Sequence, residues 1–315
     1  MRICSLLPSS TEIVFALGLG EDLVAVTHEC DYPPDAKTKP VITASIFDPH
    51  HHTSAEIDEA IRRGLHEQGT IYRLDAKLLD ELRPDLILTQ ELCDVCAVAY
   101  SQVTRAARLL PGNPRVVSLD PNRLGDILDN ICLVGELTGR EARAREVVAA
   151  LEQRIREVAE TAGRSATRPR VFSLDWVEPP IRSGQWIPEM VRLAGGVEGL
   201  GVDGAPATRI TWEEIAAYAP EVIVIMPCGF GIDRILRELE AAAFPEAWDR
   251  FPATAAGRVY VVDGNAYFNR PGPRMVDSLE LLARIIHPEL YPGFAPRSVS
   301  LRQPNGRTLV VGVAG

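Results

Sequence analysis

Apolar residues at 2–7, 22–27, 85–89 and 115–119 form short β-branched runs, with a helical period from about 10 to 18 between the first two. Strands and helices alternating in this way predict an α/β unit with a parallel sheet. The stretch 28–72 is irregular and rich in Pro, His, Asp and Thr. Within it only "TSAEIDEAIRRGLHEQ" at 53–68 has a helical period, opened by a Thr53–Glu56 capping box. From Leu124 to Leu137, apolar residues at 124, 127, 128, 131, 134 and 137 mark a helix, and "TGRE" at 138–141 predicts a second capping box and a new helix to about Ala162. At 1.5 Å per residue that helix would span roughly 35 Å. Its stripe of Val147, Val148, Leu151, Ile155 and Val158 predicts one buried face. After "GRSATRP" a second α/β pattern follows, with strands at 170–174, 221–226 and 258–262 and helices at 186–194 and 212–218. Beyond Pro292, "RSVSLRQPNGRTLVVGV" predicts two strands around an Asn305–Gly306 turn, with no counterpart earlier in the chain.

The two patterns echo one another in sequence. "RICSLLPSSTEIVFALGLG" at 2–20 and "RPDLILTQELC" at 83–93 are matched by "RVFSLDWVEPPIRSGQWIPEMVRLAGG" at 170–196 and "APEVIVIMPC" at 219–228. In each half a basic residue opens a β-branched run and a helix ends at Leu-Gly or Ala-Gly-Gly. Later in each half a proline, Pro84 or Pro220, stops a helix before an apolar strand, and a cysteine follows that strand. The expected fold is α/β: two Rossmann-like lobes with parallel sheets joined by a single long interlobe α-helix. The expected boundaries are 1–138, the helix at 139–163, 168–291, and a terminal hairpin or tail at 292–315. Ligands of parallel sheets bind beyond the strand carboxyl ends, so a cleft between such edges is the expected site.

Composition narrows the function classes. At 315 residues the chain suits two cores of about 120–150 residues each. It is 46% hydrophobic and 24% charged, and no apolar stretch approaches the roughly 20 residues of a membrane span, so a protein not embedded in a membrane is expected. A net charge of −10 disfavours nucleic acid as a partner. "ICSLLP" at 3–8 reads as a core strand with no signal segment before it, from which a cytoplasmic location and six reduced cysteines are expected.

Placing residues by strand ends gathers Ser9, Ser10 and Thr11 after the first strand, His28 and Cys30 after the second, and Cys93 and Cys96 after the third. The second half contributes Trp176, Cys228, Phe230 and the loop "GNAYFNRPGPR" with Asn265, Tyr267 and Arg270. Ser9-x-x-Glu12 is foremost a capping box, and otherwise a backbone anion site. Cys93-x-x-Cys96 suits a soft metal or a dithiol, with His28, Cys30 or Cys228 completing a site only through folding, whereas Cys4 and Cys132 read as packed thiols. His50, His51 and His52 read first as a solvated loop and second as metal ligands. Trp176 offers a flat wall for a planar, largely apolar ligand such as a tetrapyrrole. With no G-x-S-x-G elbow, no Walker loop and no strand-following G-x-G-x-x-G, catalysis is not expected.

"SLLPSSTEIVFALGLGEDLVAVTHECDYP", "LRPDLILTQE", the long helix and "APEVIVIMP" resemble the cobalamin- and ferric-siderophore-binding proteins of ABC importers over about residues 1–291. "HECDYP", "ELCDVC" and "NAYFNRPGPR" are similar to a leaderless, cobalamin-binding-like branch. The resemblance implies reversible capture of a small metal chelate, foremost cobalamin or a related corrinoid, with haem or zinc behind it. It also implies docking on a permease through a surface glutamate of each lobe. Glu213, seven residues before Pro220, matches that position, but seven residues before Pro84 stands Lys77, with Asp75 and Asp80 nearby. This departure, with the absent leader, argues against a permease partner and for a cytosolic carrier. The rival expectation is a cytosolic metal- or redox-active protein using Cys93, Cys96 and Cys228.

Overall fold

A computed structural model describes residues 1–45, 52–68, 71–90, 103–104, 107–108 and 112–315, with only the backbone at 65–68. His50, His51, Cys93 and Cys96 lie outside the described residues. The chain divides into two compact units. Unit 1 comprises Met1–His52, Glu56–Pro121 and Gly125–Ala150, and unit 2 comprises Thr53–Ala55, Asn122–Leu124 and Leu151–Gly315. The helix Glu141–Ala162 is shared between them. Of the stripe its sequence period predicts, Leu151 and Val158 are buried and Val147, Val148 and Ile155 half-buried, while Ala144, outside that stripe, is buried too. Among the described residues no helix is long and apolar enough to cross a membrane.

Unit 1 contains β1 (Ile3–Ser5), β2 (Leu23–Ala25), β3 (Thr43–Ser45), β4 (Tyr72–Leu74), β5 (Leu86–Thr89) and β6 (Arg115–Ser118). The order β2-β1-β5-β6 makes a parallel sheet, while β3 and β4 pair antiparallel within the stretch read as irregular. β5, "LILT", is buried at every residue, as a strand covered on both faces must be. Cys4, Leu6, Ala25, Ile42, Leu79 and Ile87 form the core beside it.

Unit 2 continues with β7 (Arg170–Trp176), β8 (Ile181–Arg182), β9 (Val197–Glu198), β10 (Thr208–Arg209), β11 (Val222–Ile225), β12 (Val259–Val261), β13 (Arg297–Arg302) and β14 (Thr308–Val313). Its sheet runs β10-β8-β7-β11-β12-β14-β13, and β9 pairs with β7. The centre is parallel and both ends carry antiparallel pairs. The terminal hairpin thus belongs to this sheet, with β14 parallel to β12.

The sequence echo has a physical counterpart. In unit 1 the Arg2 guanidinium donates to the Leu82 carbonyl (2.6 and 2.8 Å), and the Arg2 amide donates to the Asp85 carboxylate (2.7 Å). In unit 2 Arg170 donates from Nε to the Ala219 carbonyl and from its amide to the Glu221 carboxylate, both at 2.9 Å. Each arginine thereby ties the start of the first strand to the helix end before Pro84 or Pro220. Helix Pro8–Ala16 closes at Gly18 (φ +74°) and helix Ile187–Leu193 at Gly195 (φ +87°). In each the next amide bonds back to the last turn, Leu19 to the Val14 carbonyl and Gly196 to the Val191 carbonyl. This left-handed closure is the reason both motifs end in glycine.

Two capping expectations are corrected. Helix Pro8–Ala16 starts one residue before Ser9, with Pro8 in its first turn and Leu7 as a cap without a side-chain bond, so Ser9-x-x-Glu12 is not a capping box. Thr138 ends one helix rather than opening the next, because its hydroxyl donates back to the Val134 carbonyl (2.6 Å). A full capping box, Thr211–Glu214, opens helix Trp212–Tyr218.

Candidate functional site

In unit 1 the loops after β1 and β2 bring Ser10, Thr11 and Cys30 together, facing inward. Ser10 Oγ lies 2.6 Å from Ser5 Oγ and donates to the Leu7 carbonyl (3.0 Å). Thr11 Oγ1 lies 2.7 Å from Ser5 Oγ and 3.1 Å from Cys30 Sγ, and that thiol also meets Thr27 Oγ1 at 3.2 Å. Ser9, Ser10, Thr11 and Cys30 are all buried. Ser10, Thr11 and Cys30 thus meet bonding partners within unit 1. Cys4 packs in the same core, where burial and the neighbouring Cys30 push its thiol pKa up. His28 is exposed, with its side chain 26% accessible. Its Nδ1 shares a hydrogen bond with Thr43 Oγ1 (2.8 Å), its Nε2 is 3.4 Å from Glu29, and its ring meets Tyr72 at 5.5 Å.

In unit 2 the loops following β7, β11 and β12 are tied together at the carboxyl edge of the sheet. The Cys228 amide donates to the Asp175 carbonyl (3.3 Å), and the Asn265 amide to the Phe230 carbonyl (3.1 Å). Asn269 Nδ2 donates to the Met226 carbonyl (2.9 Å) and Trp186 Nε1 to the Phe268 carbonyl (3.0 Å). Asp263 caps the single π-turn Gly264–Phe268 by accepting from the Ala266 amide (2.7 Å).

Trp176 and Phe230 meet at 5.0 Å with their rings tilted, and both are buried. The Trp176 indole N–H donates to the Ser54 carbonyl (3.1 Å), whose amide and hydroxyl donate to the buried Glu238 carboxylate. Arg234 lies over the Phe230 ring (4.6 Å) and pairs with Glu238 (3.2 Å). Trp176 is therefore a wedged side chain with its N–H engaged, not the open wall expected. Asn265 accepts from the buried Arg270 guanidinium (3.1 Å), which leaves Arg270 inside the fold rather than at its surface. Tyr267 is half-buried, with Arg274 over its ring at 5.3 Å. Cys228 is a free, half-buried thiol. Among the described residues no group of three His, Cys, Asp or Glu side chains is placed to hold a metal ion.

Asp175 was not singled out from the sequence. It closes β7 where the ladder to β8 shifts register between Leu174 and Trp176, and burial pushes its carboxyl pKa up to about 7. The signal that could have found it is an acidic residue inside the apolar run "RVFSLDW".

The equivalent helices Ala76–Leu82 and Trp212–Tyr218 carry the docking candidates. Asp75 and Thr211 cap them through the Leu78 and Glu214 amides, and Leu79 and Ile215 are their buried anchors. Lys77 and Glu213 therefore hold the same position, both exposed, one positive and one negative.

The family described as "Periplasmic binding protein" matches residues 3–266. Among curated relatives, the uncharacterized ABC transporter substrate-binding lipoprotein YvrC of Bacillus subtilis is 24% identical over 296 residues, 92% of this chain and 81% of the relative. The vitamin B12-binding protein of Vibrio cholerae is 23% identical over 282 residues, 89% of this chain and 86% of the relative. Among solved structures, the Vibrio cholerae periplasmic vitamin B12-binding protein BtuF aligns with a TM-score of 0.66 at 21% identity, covering 92% of this chain and 98% of that one. A periplasmic heme-binding protein from Pseudomonas aeruginosa aligns at 0.68 and 21% identity, covering 99% and 97%. These likenesses support the two-lobed α/β fold. They overturn the expected cytoplasmic location, because the family and these relatives are periplasmic proteins or lipoproteins, which work outside the cytoplasm. The chain belongs to the periplasmic binding protein family, the non-catalytic substrate-binding components of ABC transporters.

Proposed function

We propose that this protein captures a corrinoid outside the cytoplasm and hands it to an ABC permease. What carries the reading is the likeness, along about nine-tenths of the chain, to a relative named a vitamin B12-binding protein. The character of the unit 2 edge agrees with it. Half-buried Tyr267 supplies an aromatic ring, Asn265 supplies an amide, and the nearby arginines are engaged by Glu238, Asn265 and aromatic rings. Such an edge suits a large, largely neutral chelate better than a polyanion. Glu213 supplies an acidic contact to the permease, while Lys77 makes the docking surface electrostatically unequal at its two equivalent helices.

The test is equilibrium dialysis of the purified protein against cyanocobalamin, dicyanocobinamide and haemin, followed by a visible spectrum. Retention of corrinoid absorbance supports the reading. Retention of haemin alone replaces it with a haem carrier.

A further inference from the structure

Asp175 stands at the carboxyl end of β7, at the register shift in its ladder with β8. A bulge of this kind frees one residue from the ladder and re-aims its side chain. Its Oδ1 is buried and, among the described residues, has no hydrogen-bond partner. Charged side chains on the surrounding elements are engaged elsewhere: Arg182 of β8 with Thr208, Asp263 with the Ala266 amide, Arg234 with Glu238 and Arg270 with Asn265. Burial is the only cause that raises its carboxyl to about 7. A buried acceptor without a partner calls for one. This one sits at the strand edge where parallel sheets take their ligands.

We infer that Asp175 contacts the ligand and selects a chelate with a neutral, amide-bearing periphery over one rimmed by carboxylates. The inference rests on the reading of this protein as a corrinoid carrier and adds the residue that sets the choice. An amide suits the group in either protonation state, because the neutral carboxyl donates to an amide oxygen and the carboxylate accepts from an amide N–H. A ligand carboxylate suits the neutral form alone. Against the ionised form it sets like charges together where water is scarce, so binding an anionic rim requires a proton taken up from solvent onto Asp175.

The experiment titrates dicyanocobinamide and haemin into wild type, Asp175→Asn and Asp175→Leu at pH 6 and pH 8, with thermal melts confirming that each variant is folded. For dicyanocobinamide, affinity stays within about threefold between the two pH values and in Asp175→Asn, and falls about tenfold or more in Asp175→Leu, where the hydrogen bond is lost. For haemin, wild-type affinity falls about tenfold from pH 6 to pH 8, as expected when a proton must be taken up, and Asp175→Asn loses that dependence. A folded Asp175→Leu that binds dicyanocobinamide like wild type overturns the assignment of Asp175 and leaves the corrinoid reading standing. A wild type that binds haemin and no corrinoid overturns the corrinoid reading. In that case a haemin affinity with the same pH response in wild type and Asp175→Asn overturns the role of Asp175 as well.

Discussion

The hydroxyl of Thr11 lies 3.1 Å from the thiol of Cys30, and Ser5, Ser10 and Thr27 extend that contact into a buried chain of hydroxyls. The chain gives the polar residues that crowd the first strand and helix bonding partners within unit 1. It also orders the cysteines by reactivity. Cys4 and Cys30 are buried, with the Cys4 thiol pKa pushed up, whereas Cys228 is half-buried. Brief alkylation of the native protein, read by peptide mass mapping, labels Cys228 about tenfold faster than Cys4 or Cys30, because the exposed thiolate is the reacting species. Equal rates at the three thiols contradict this packing.

Trp176 is held by packing on Phe230 and by its N–H bond to the Ser54 carbonyl. Trp176→Phe keeps most of the apolar area and costs about 1 kcal/mol of stability through the lost hydrogen bond. Trp176→Ala costs about 3–5 kcal/mol through the cavity it leaves. Denaturant titration separates the two variants. A Trp176→Ala variant of wild-type stability contradicts the buried placement.

Asp175 holds its proton up to about pH 7 in the folded chain, well above the ordinary carboxyl range. From about pH 4 to pH 7 the folded state therefore binds more protons than the unfolded state, and stability from this group falls as pH rises, then levels off above pH 7. Asp175→Asn removes that slope. The melting temperature of the variant relative to wild type is higher at pH 8 than at pH 5, and a difference that is constant across this range contradicts the burial of the carboxyl.

Lys77 and Glu213 occupy the same position on equivalent helices, and Asp75 is spent as a helix cap rather than standing in for a missing acidic group. Glu213→Lys is expected to weaken co-purification with the cognate permease about tenfold by opposing charges at the interface, while Lys77→Ala leaves it near wild type. The reverse order of effects contradicts docking through Glu213.

Much of this architecture is legible in sequence because it rests on local chemistry. The Arg-strand and Pro-acidic pairs that repeat at Arg2–Asp85 and Arg170–Glu221, the left-handed glycines and the apolar stripe of the long helix each follow from residue type and spacing. The site is less legible because its outcome is decided by tertiary partners. Ser-x-x-Glu at Ser9 looks like a cap until Pro8 begins the helix a residue earlier. Trp176 looks like an open wall until Ser54, 122 residues away, takes its N–H. Arg270 reads as a rim residue of its loop, and its burial beside Asn265 emerges only in the fold. Asp175 reads only as a polar strand end, and its isolation emerges once the neighbouring charges are seen to be engaged.

The central claim is tested most directly by isothermal titration calorimetry of the purified, ligand-free protein with cyanocobalamin at neutral pH. The account predicts a saturable isotherm with one corrinoid per chain and a negative heat-capacity change from burying the ligand's apolar surface. A flat isotherm with cyanocobalamin and dicyanocobinamide, beside saturable binding of haemin, would contradict it.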